Sequence, residues 1–199
     1  SPNKTTSGPM GPLLEGLIEY GKTQRIICSA NAAGGATHML AKAFFGEAGV
    51  DCEVLAADSG AQNALAVASG DAVCAIVAAS AATQYIEDGS LKALACFSPE
   101  PFTGYEGLTI PTVKDMGYDV VFKSCNFIIA KKGTDQAVLD KIYSDMLEYR
   151  ESEEFQELAA NAAYIPDNQN AEQVRQTVAD AKEFCENAFA TYYDDQTLQ

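Results

Sequence analysis

The spacing of apolar positions along this chain changes period repeatedly, and each change marks an element. Behind Pro12, Leu13, Leu14, Leu17 and Ile18 recur at helical spacing. Proline suits a first helical turn, and Gly21 stands where such a helix would stop. Arg25–Cys28 is a short apolar run that reads as a buried strand. The chain then turns through Ser29–Gly35 and enters a helix over 36–46, with Met39, Leu40, Ala43 and Phe44 as its apolar stripe. Cys52–Ala56 reads as a strand, and Asp58-Ser59-Gly60 opens a helix that runs to Ser69. Gly70-Asp71 breaks it. The continuous apolar run 72–79 predicts a strand covered on both faces. A helix over 80–87, a turn at Asp88-Gly89 and a strand over 91–97 complete the series.

Strand and helix alternate throughout this stretch, which argues for a parallel sheet flanked by helices. Prolines and glycines in 98–111 break the rhythm, so that stretch reads as a loop. Short strands are expected over 118–122 and 127–130. Beyond Gly133 the pattern is helical, over 135–150, 152–162 and 171–192. Ser152 followed by Glu153 and Glu154 is a sound helix start. The chain therefore reads as an α/β block, two strands and a helical tail, led by a flexible segment over 1–8.

A chain of 199 residues can bury roughly 70% of its unfolded surface, so neither metal nor disulfide is needed to hold it. With 28 acidic and 13 basic side chains the net charge is −15. That surface repels phosphate backbones, and nucleic acid is excluded as a partner. It also disfavours an anionic bilayer. Six cysteines occur without a C-x-x-C pair, and there is one histidine. A Cys/His zinc site has no support, and most of the cysteines read as small buried hydrophobes. The opening Ser-Pro-Asn-Lys-Thr-Thr is not a signal peptide, so the chain is either cytosolic or has lost a targeting segment.

One motif misleads. Gly16-Leu-Ile-Glu-Tyr-Gly21-Lys22-Thr23 fits the phosphate-loop pattern letter for letter, but its context is helix, glycine, strand rather than strand, loop, helix. The run Ser29-Ala-Asn31-Ala-Ala33-Gly34-Gly35-Ala-Thr37-His38 is better placed, because it follows a strand and opens a helix. Small residues admit a ligand to the backbone, and free amides at a helix start favour an anion. The strand-to-helix crevice of a parallel sheet is where α/β proteins bind ligands. His38 lies one turn into the helix, within reach of a ligand, a packing partner or, if it were a base, a nucleophile. Asp58-Ser59-Gly60 and Ser80 repeat the strand-then-helix logic. Both serines can cap their helices or face the same crevice.

Several motifs, in order, carry a resemblance. They are the Ser29…Thr37-His38 loop before an apolar helix, Ser59-Gly60 followed by Ala64-Leu65, and Gly70-Asp71 before an apolar run. Glu87-Asp-Gly-Ser-Leu-Lys-Ala-Leu-Ala95, Ile110-Pro-Thr-Val113 with Asp115 and Gly117, and Ala130-Lys-Lys-Gly-Thr134 follow. From Pro12 to about Ala190 the chain resembles the periplasmic receptors of tripartite tricarboxylate transporters, the Bug or TctC-like family. The resemblance implies a type II periplasmic-binding-protein-like fold, of which this chain would be the C-terminal two-thirds. It divides the chain into a lead-in (1–8), an α/β ligand-binding lobe (9–122) and a return segment with C-terminal helices (123–199). The last belongs to a first lobe whose N-terminal part is absent.

The implied activity is extracytoplasmic binding of a small carboxylate, handed to membrane permease subunits, with no cofactor, metal or catalysis. The implied site is Ser29, Asn31, Ala33, Gly34, Gly35, Thr37, His38, Ser59, Gly60, Ser80 and Asn126. An incomplete lobe should expose apolar helix faces, which predicts a homodimer or a missing partner chain. The rival readings are a ligand-sensing regulatory domain of similar build and a hydrolase or transferase using His38.

Overall fold

A computed structural model describes residues 10–193. The first helix, α1 (Met10–Gly21), turns Leu14 and Ile18 inward. Gly16 lies within it, so the phosphate-loop match has no loop. β1 (Ile26–Ala30), α2 (Ala36–Glu47), β2 (Cys52–Ala56), α3 (Gly60–Ser69), β3 (Cys74–Ala75) and α4 (Ala79–Glu87) follow. The three strands form a parallel sheet in the order β2-β1-β3. Ile26 pairs with Cys52, and Cys28 pairs with Val54 on one side and Cys74 on the other.

Alternation along β1 assigns the two faces. Ile26 and Cys28 point into a core built with Leu14, Ile18, Leu40, Phe44, Phe45 and Val50, which puts α1 and α2 on that face. Ser29 points the other way, to Asn63 of α3. Phe44 anchors the first face. Its ring meets those of Phe45, Phe97 and Tyr118 edge-on, with centroids 5.0, 5.7 and 5.1 Å away. Such pairs add about 0.5–1.5 kcal/mol each beyond the area they bury.

Four expected strands are corrected. A strand is stable only as part of a ladder, because its amides and carbonyls need partners. The run 72–79 shrinks to Cys74–Ala75, and α4 begins at Ala79. The run 91–97 turns its main chain to a different neighbour, with the Cys96 amide donating to Pro111 and the Val113 amide donating to Cys96, both at 2.9 Å. Only the single parallel bridge Cys96–Thr112 results. Residues 118–122 make one such bond to this stretch, Phe122 N–H to the Phe97 carbonyl at 2.7 Å. Residues 127–130 lie on the surface as irregular chain, with Ile128 69% and Ile129 81% exposed.

The expected loop over 98–111 instead contains a hairpin, β4 (Phe102–Tyr105) and β5 (Leu108–Ile110), paired antiparallel through Phe102–Ile110 and Tyr105–Leu108. Gly107, second in the Glu106-Gly107 turn, adopts φ 70°, a left-handed conformation that glycine enters at little cost. The Tyr105 hydroxyl donates to the Ala79 carbonyl at 2.7 Å and so pins the hairpin to the start of α4.

The tail forms as expected: α5 (Gln136–Arg150), α6 (Glu153–Asn161) and α7 (Ala171–Tyr192). Asp135, Ser152 and Asn170 cap them, and Asn170 forms a capping box with Gln173. The end of α7 packs on α2, where a Cβ on Gly46 would overlap the Tyr192 ring. By contrast α5 buries no residue, and Val138, Ile142, Tyr143, Met146 and Tyr149 are all exposed. Among the described residues, no helix is long and apolar enough to cross a membrane.

Candidate functional site at the strand ends

A parallel sheet directs every strand-to-helix turn to the same edge. The starts of α3, α2 and α4 therefore lie side by side, following β2, β1 and β3. Gly60 brings two of them into contact, since a Cβ there would sit 2.8 Å from that of Ala81 in α4. This gathers Ser29, Asn31, Ala33, Gly34, Gly35, Thr37, His38, Ser59, Gly60 and Ser80 at one edge.

Within that group the roles separate. Ser29 is fully buried, and its hydroxyl donates to Asn63 Oδ1 at 2.7 Å and toward the Leu55 carbonyl at 3.3 Å. Asn63, itself fully buried on α3, donates through Nδ2 to Asn31 Oδ1 at 3.2 Å. The Asn31 amide donates to Thr37 Oγ1 at 3.0 Å. A chain of side-chain hydrogen bonds thus runs from β1 through α3 to the first turn of α2 and fixes the loop between them. Gly34 takes φ 84°, which only glycine adopts cheaply. Gly35 is the N-cap of α2, and a Cβ there would meet Asn31 Cβ at 3.0 Å and the Ala32 carbonyl at 3.1 Å.

No side chain caps α2 or α4. By contrast Ser59 caps α3, its hydroxyl accepting from the Gln62 amide at 3.3 Å, and Asp58 N–H donates to Gln62 Oε1 at 3.0 Å. Ser80 is exposed and is not the cap of its helix, a place taken by Ala78. Asn126 lies exposed in the irregular stretch before α5.

Two residues of the site went unforeseen. One is Asn63; the signal for it was a carboxamide on the inner stripe of α3, next to buried Ala64. The other is Tyr193, just past α7, whose hydroxyl pairs with His38 Nδ1. The Gly34 amide also reaches the phenol oxygen and favours its ionised form, against the larger opposing effect of burial. His38 is buried; burial and then Lys42 hold it below its ordinary pKa. Nothing local in the sequence joins residues 155 apart.

Comparison with known proteins gives one family. A family model described as "Tripartite tricarboxylate transporter family receptor" matches residues 8–187. Solved structures share the fold at low identity. A TctC solute-binding protein from Polaromonas superposes with a TM-score of 0.73 at 19% identity, over 89% of this chain and 61% of its own. An R. palustris protein with adipate gives 0.73 at 16%, over 96% and 63%. The periplasmic binding protein BugD gives 0.65 at 20%, over 90% and 61%. The chain thus spans about three-fifths of the length of these structures. No curated protein matches the sequence.

Proposed function

Because the chain belongs to the receptor family of tripartite tricarboxylate transporters, we propose that it is the larger part of an extracytoplasmic solute receptor that binds a small carboxylate at the start of α2. One observation carries this reading. A polar oxygen, that of Tyr193, already sits against His38 Nδ1, one turn into a helix whose start no side chain caps. A carboxylate oxygen is a stronger acceptor than a phenol and gains from the helix dipole, by about 0.3–1 kcal/mol at an exposed site and up to about 2 when partly buried. Ala33, Gly34, Gly35 and Thr37 supply the close backbone approach. Ser59 and Gly60 at α3 and Ser80 at α4 flank it. Asn126 joins the site from the opposing lobe.

The division at 122/123 belongs to the same reading. Residues 123–199 are the return part of a first lobe, and the exposed apolar side of α5, with Ile128 and Ile129, is the face that the rest of that lobe covers. A second copy of the chain is the alternative cover. Transfer of ligand to membrane permease subunits follows from the family. A hydrolase using His38 is disfavoured: Tyr193 engages its Nδ1, and Asn63 holds the buried hydroxyl of Ser29.

Calorimetric titration tests the ligand class, using adipate (a ligand seen with one structural relative), citrate and a neutral sugar as control. It is run on this chain and on the chain extended by whatever coding sequence lies upstream. Saturable heat with the acids and none with the sugar is expected. Gly35→Val should abolish it while the far-ultraviolet circular dichroism is kept. Silence toward every carboxylate in both forms refutes the ligand class, and unchanged affinity in Gly35→Val moves the site elsewhere.

A further inference from the structure

Three thiols meet on the α1/α2 face of the sheet, one from each strand. Cys28 lies on central β1, Cys52 opens β2 and Cys74 lies on β3. Cys28 stands opposite Cys74 in the sheet, and both pack with Cys52 in the same core cluster. Cys28 is fully buried, Cys52 is buried and Cys74 is half-buried; all three are free thiols. Nothing in the receptor reading uses them. No group of metal-binding side chains among the described residues is arranged to hold an ion, so the chemistry open to this cluster is thiol–disulfide exchange.

Register decides which pair can join. Cys28 stands directly opposite Cys74, whereas Cys52 stands opposite Ile26, a pleat period away from Val54, the β2 partner of Cys28. Directly opposed residues on neighbouring strands have Cα atoms roughly 4.8 Å apart, inside the window of about 4.4–6.8 Å that disulfides occupy. A diagonal pair such as Cys28 and Cys52 is separated by about 7–8 Å, which a disulfide spans only if the backbone moves.

We propose that Cys28 and Cys74 are a redox pair that closes to a reversible disulfide, tying β1 to β3 directly beneath Ser29 and the strand-end loop. Cys74 is the entry point, being the more exposed of the two. Its sulfur attacks a protein or small-molecule disulfide R–S–S–R, forming Cys74–S–S–R and releasing one RSH. The Cys28 sulfur then attacks Cys74 Sγ and displaces the second RSH. The two thiol protons and two electrons end on the two released RSH molecules. The neighbouring Cys52 and Cys74 thiols, and then burial, raise the Cys28 pKa, which makes its attack on the mixed disulfide the slow step. Opposed Cβ atoms are about 4.5–5.5 Å apart against a disulfide mean near 3.8 Å. The bond therefore closes against the sheet and belongs to the easily reduced class.

The test is disulfide mapping of the purified chain. After equilibration with oxidised glutathione the protein is trapped with N-ethylmaleimide, digested without reduction and analysed by mass spectrometry. A linked Cys28–Cys74 peptide pair is expected, which disappears when reduced glutathione is supplied in excess. Cys28→Ala should leave Cys74 trapped as its glutathione mixed disulfide, and Cys52→Ala should retain the link. Absence of any linked pair in the folded wild type overturns the proposal. So does a Cys28–Cys52 link, or loss of the link in Cys52→Ala while circular dichroism shows that variant folded.

Discussion

Asn63 is the residue whose removal most directly tests how the strand-end loop is held. In Asn63→Ala two hydrogen bonds vanish, Ser29 Oγ to Oδ1 at 2.7 Å and Nδ2 to Asn31 Oδ1 at 3.2 Å. Each contributes about 1 kcal/mol net. Neither former partner is stranded: Ser29 keeps its contact to the Leu55 carbonyl, and Asn31 is exposed, so water replaces the amide there. The penalty for an orphaned buried group is therefore largely avoided. What remains is the two bonds and a small void from the missing carboxamide, together about 2–3 kcal/mol. For a chain of this size that lowers Tm by about 4–12 °C. Urea unfolding of the wild type, Asn63→Ala, Ser29→Ala and the double variant measures both the total and the coupling. About 1 kcal/mol of coupling between Ser29 and Asn63 is expected. A single-variant loss below about 0.5 kcal/mol, or strict additivity, would show that this bonded chain does not fix the loop.

Two further perturbations probe the neighbours of that chain. The His38 pKa is lowered from its ordinary 6.5 by burial and then by Lys42, so just below pH 6.5 the folded chain binds fewer protons than the unfolded one. The contribution of His38 is therefore complete above that pH and is lost as pH falls toward the folded pKa. Chemical denaturation between pH 7.5 and 5.5 should show a falling stability that His38→Asn flattens; parallel curves would refute the assignment. Gly60→Ala adds a Cβ 2.8 Å from that of Ala81, forcing the starts of α3 and α4 apart at a cost of about 1–3 kcal/mol, readable as a drop in urea midpoint. A neutral or stabilising result would mean that the two helix starts are not in close contact.

Local signals carried most of the fold. The helices were legible because their apolar stripes, caps and glycine stops are all written within one segment. Pro12, Ser59, Ser152 and Gly70 each act on residues a few positions away, and the structure uses Ser59 and Ser152 as caps and Gly70 in a left-handed C-cap. Strands were legible only where a partner existed. Apolar runs at 91–97, 118–122 and 127–130 have strand composition, but pairing is a property of two segments at once. Their donors went to Pro111 and Phe97, or to no strand at all. The hairpin at 102–110 was missed for the opposite reason. Its Glu106-Gly107 turn was counted among the glycines and prolines that break an αβ rhythm, although glycine between Tyr105 and Leu108 is also what a tight turn needs.

The candidate site divides along the same line. The loop over 29–38 could be placed from sequence because a strand, a glycine pair and a helix follow one another directly. Asn63 and Tyr193 could not, since each enters the site by crossing the sheet or returning from the chain's far end. The thiols fall between these cases. Cys28, Cys52, Cys74 and Cys96 recur once per strand-and-helix unit, which places one on each of four successive apolar runs. That period alone puts sulfur on neighbouring strands at similar heights. It does not say which pair is in register or which face they share. Those depend on the two-residue offset that sets Cys52 opposite Ile26 while Cys74 stands opposite Cys28. A one-residue step along β1 sends Cys28 into the α1/α2 core and its neighbour Ser29 toward Asn63. One strand thus carries the proposed redox pair on one face and the bond that orders the strand-end loop on the other. Closing or opening Cys28–Cys74 acts on the strand from which that loop departs.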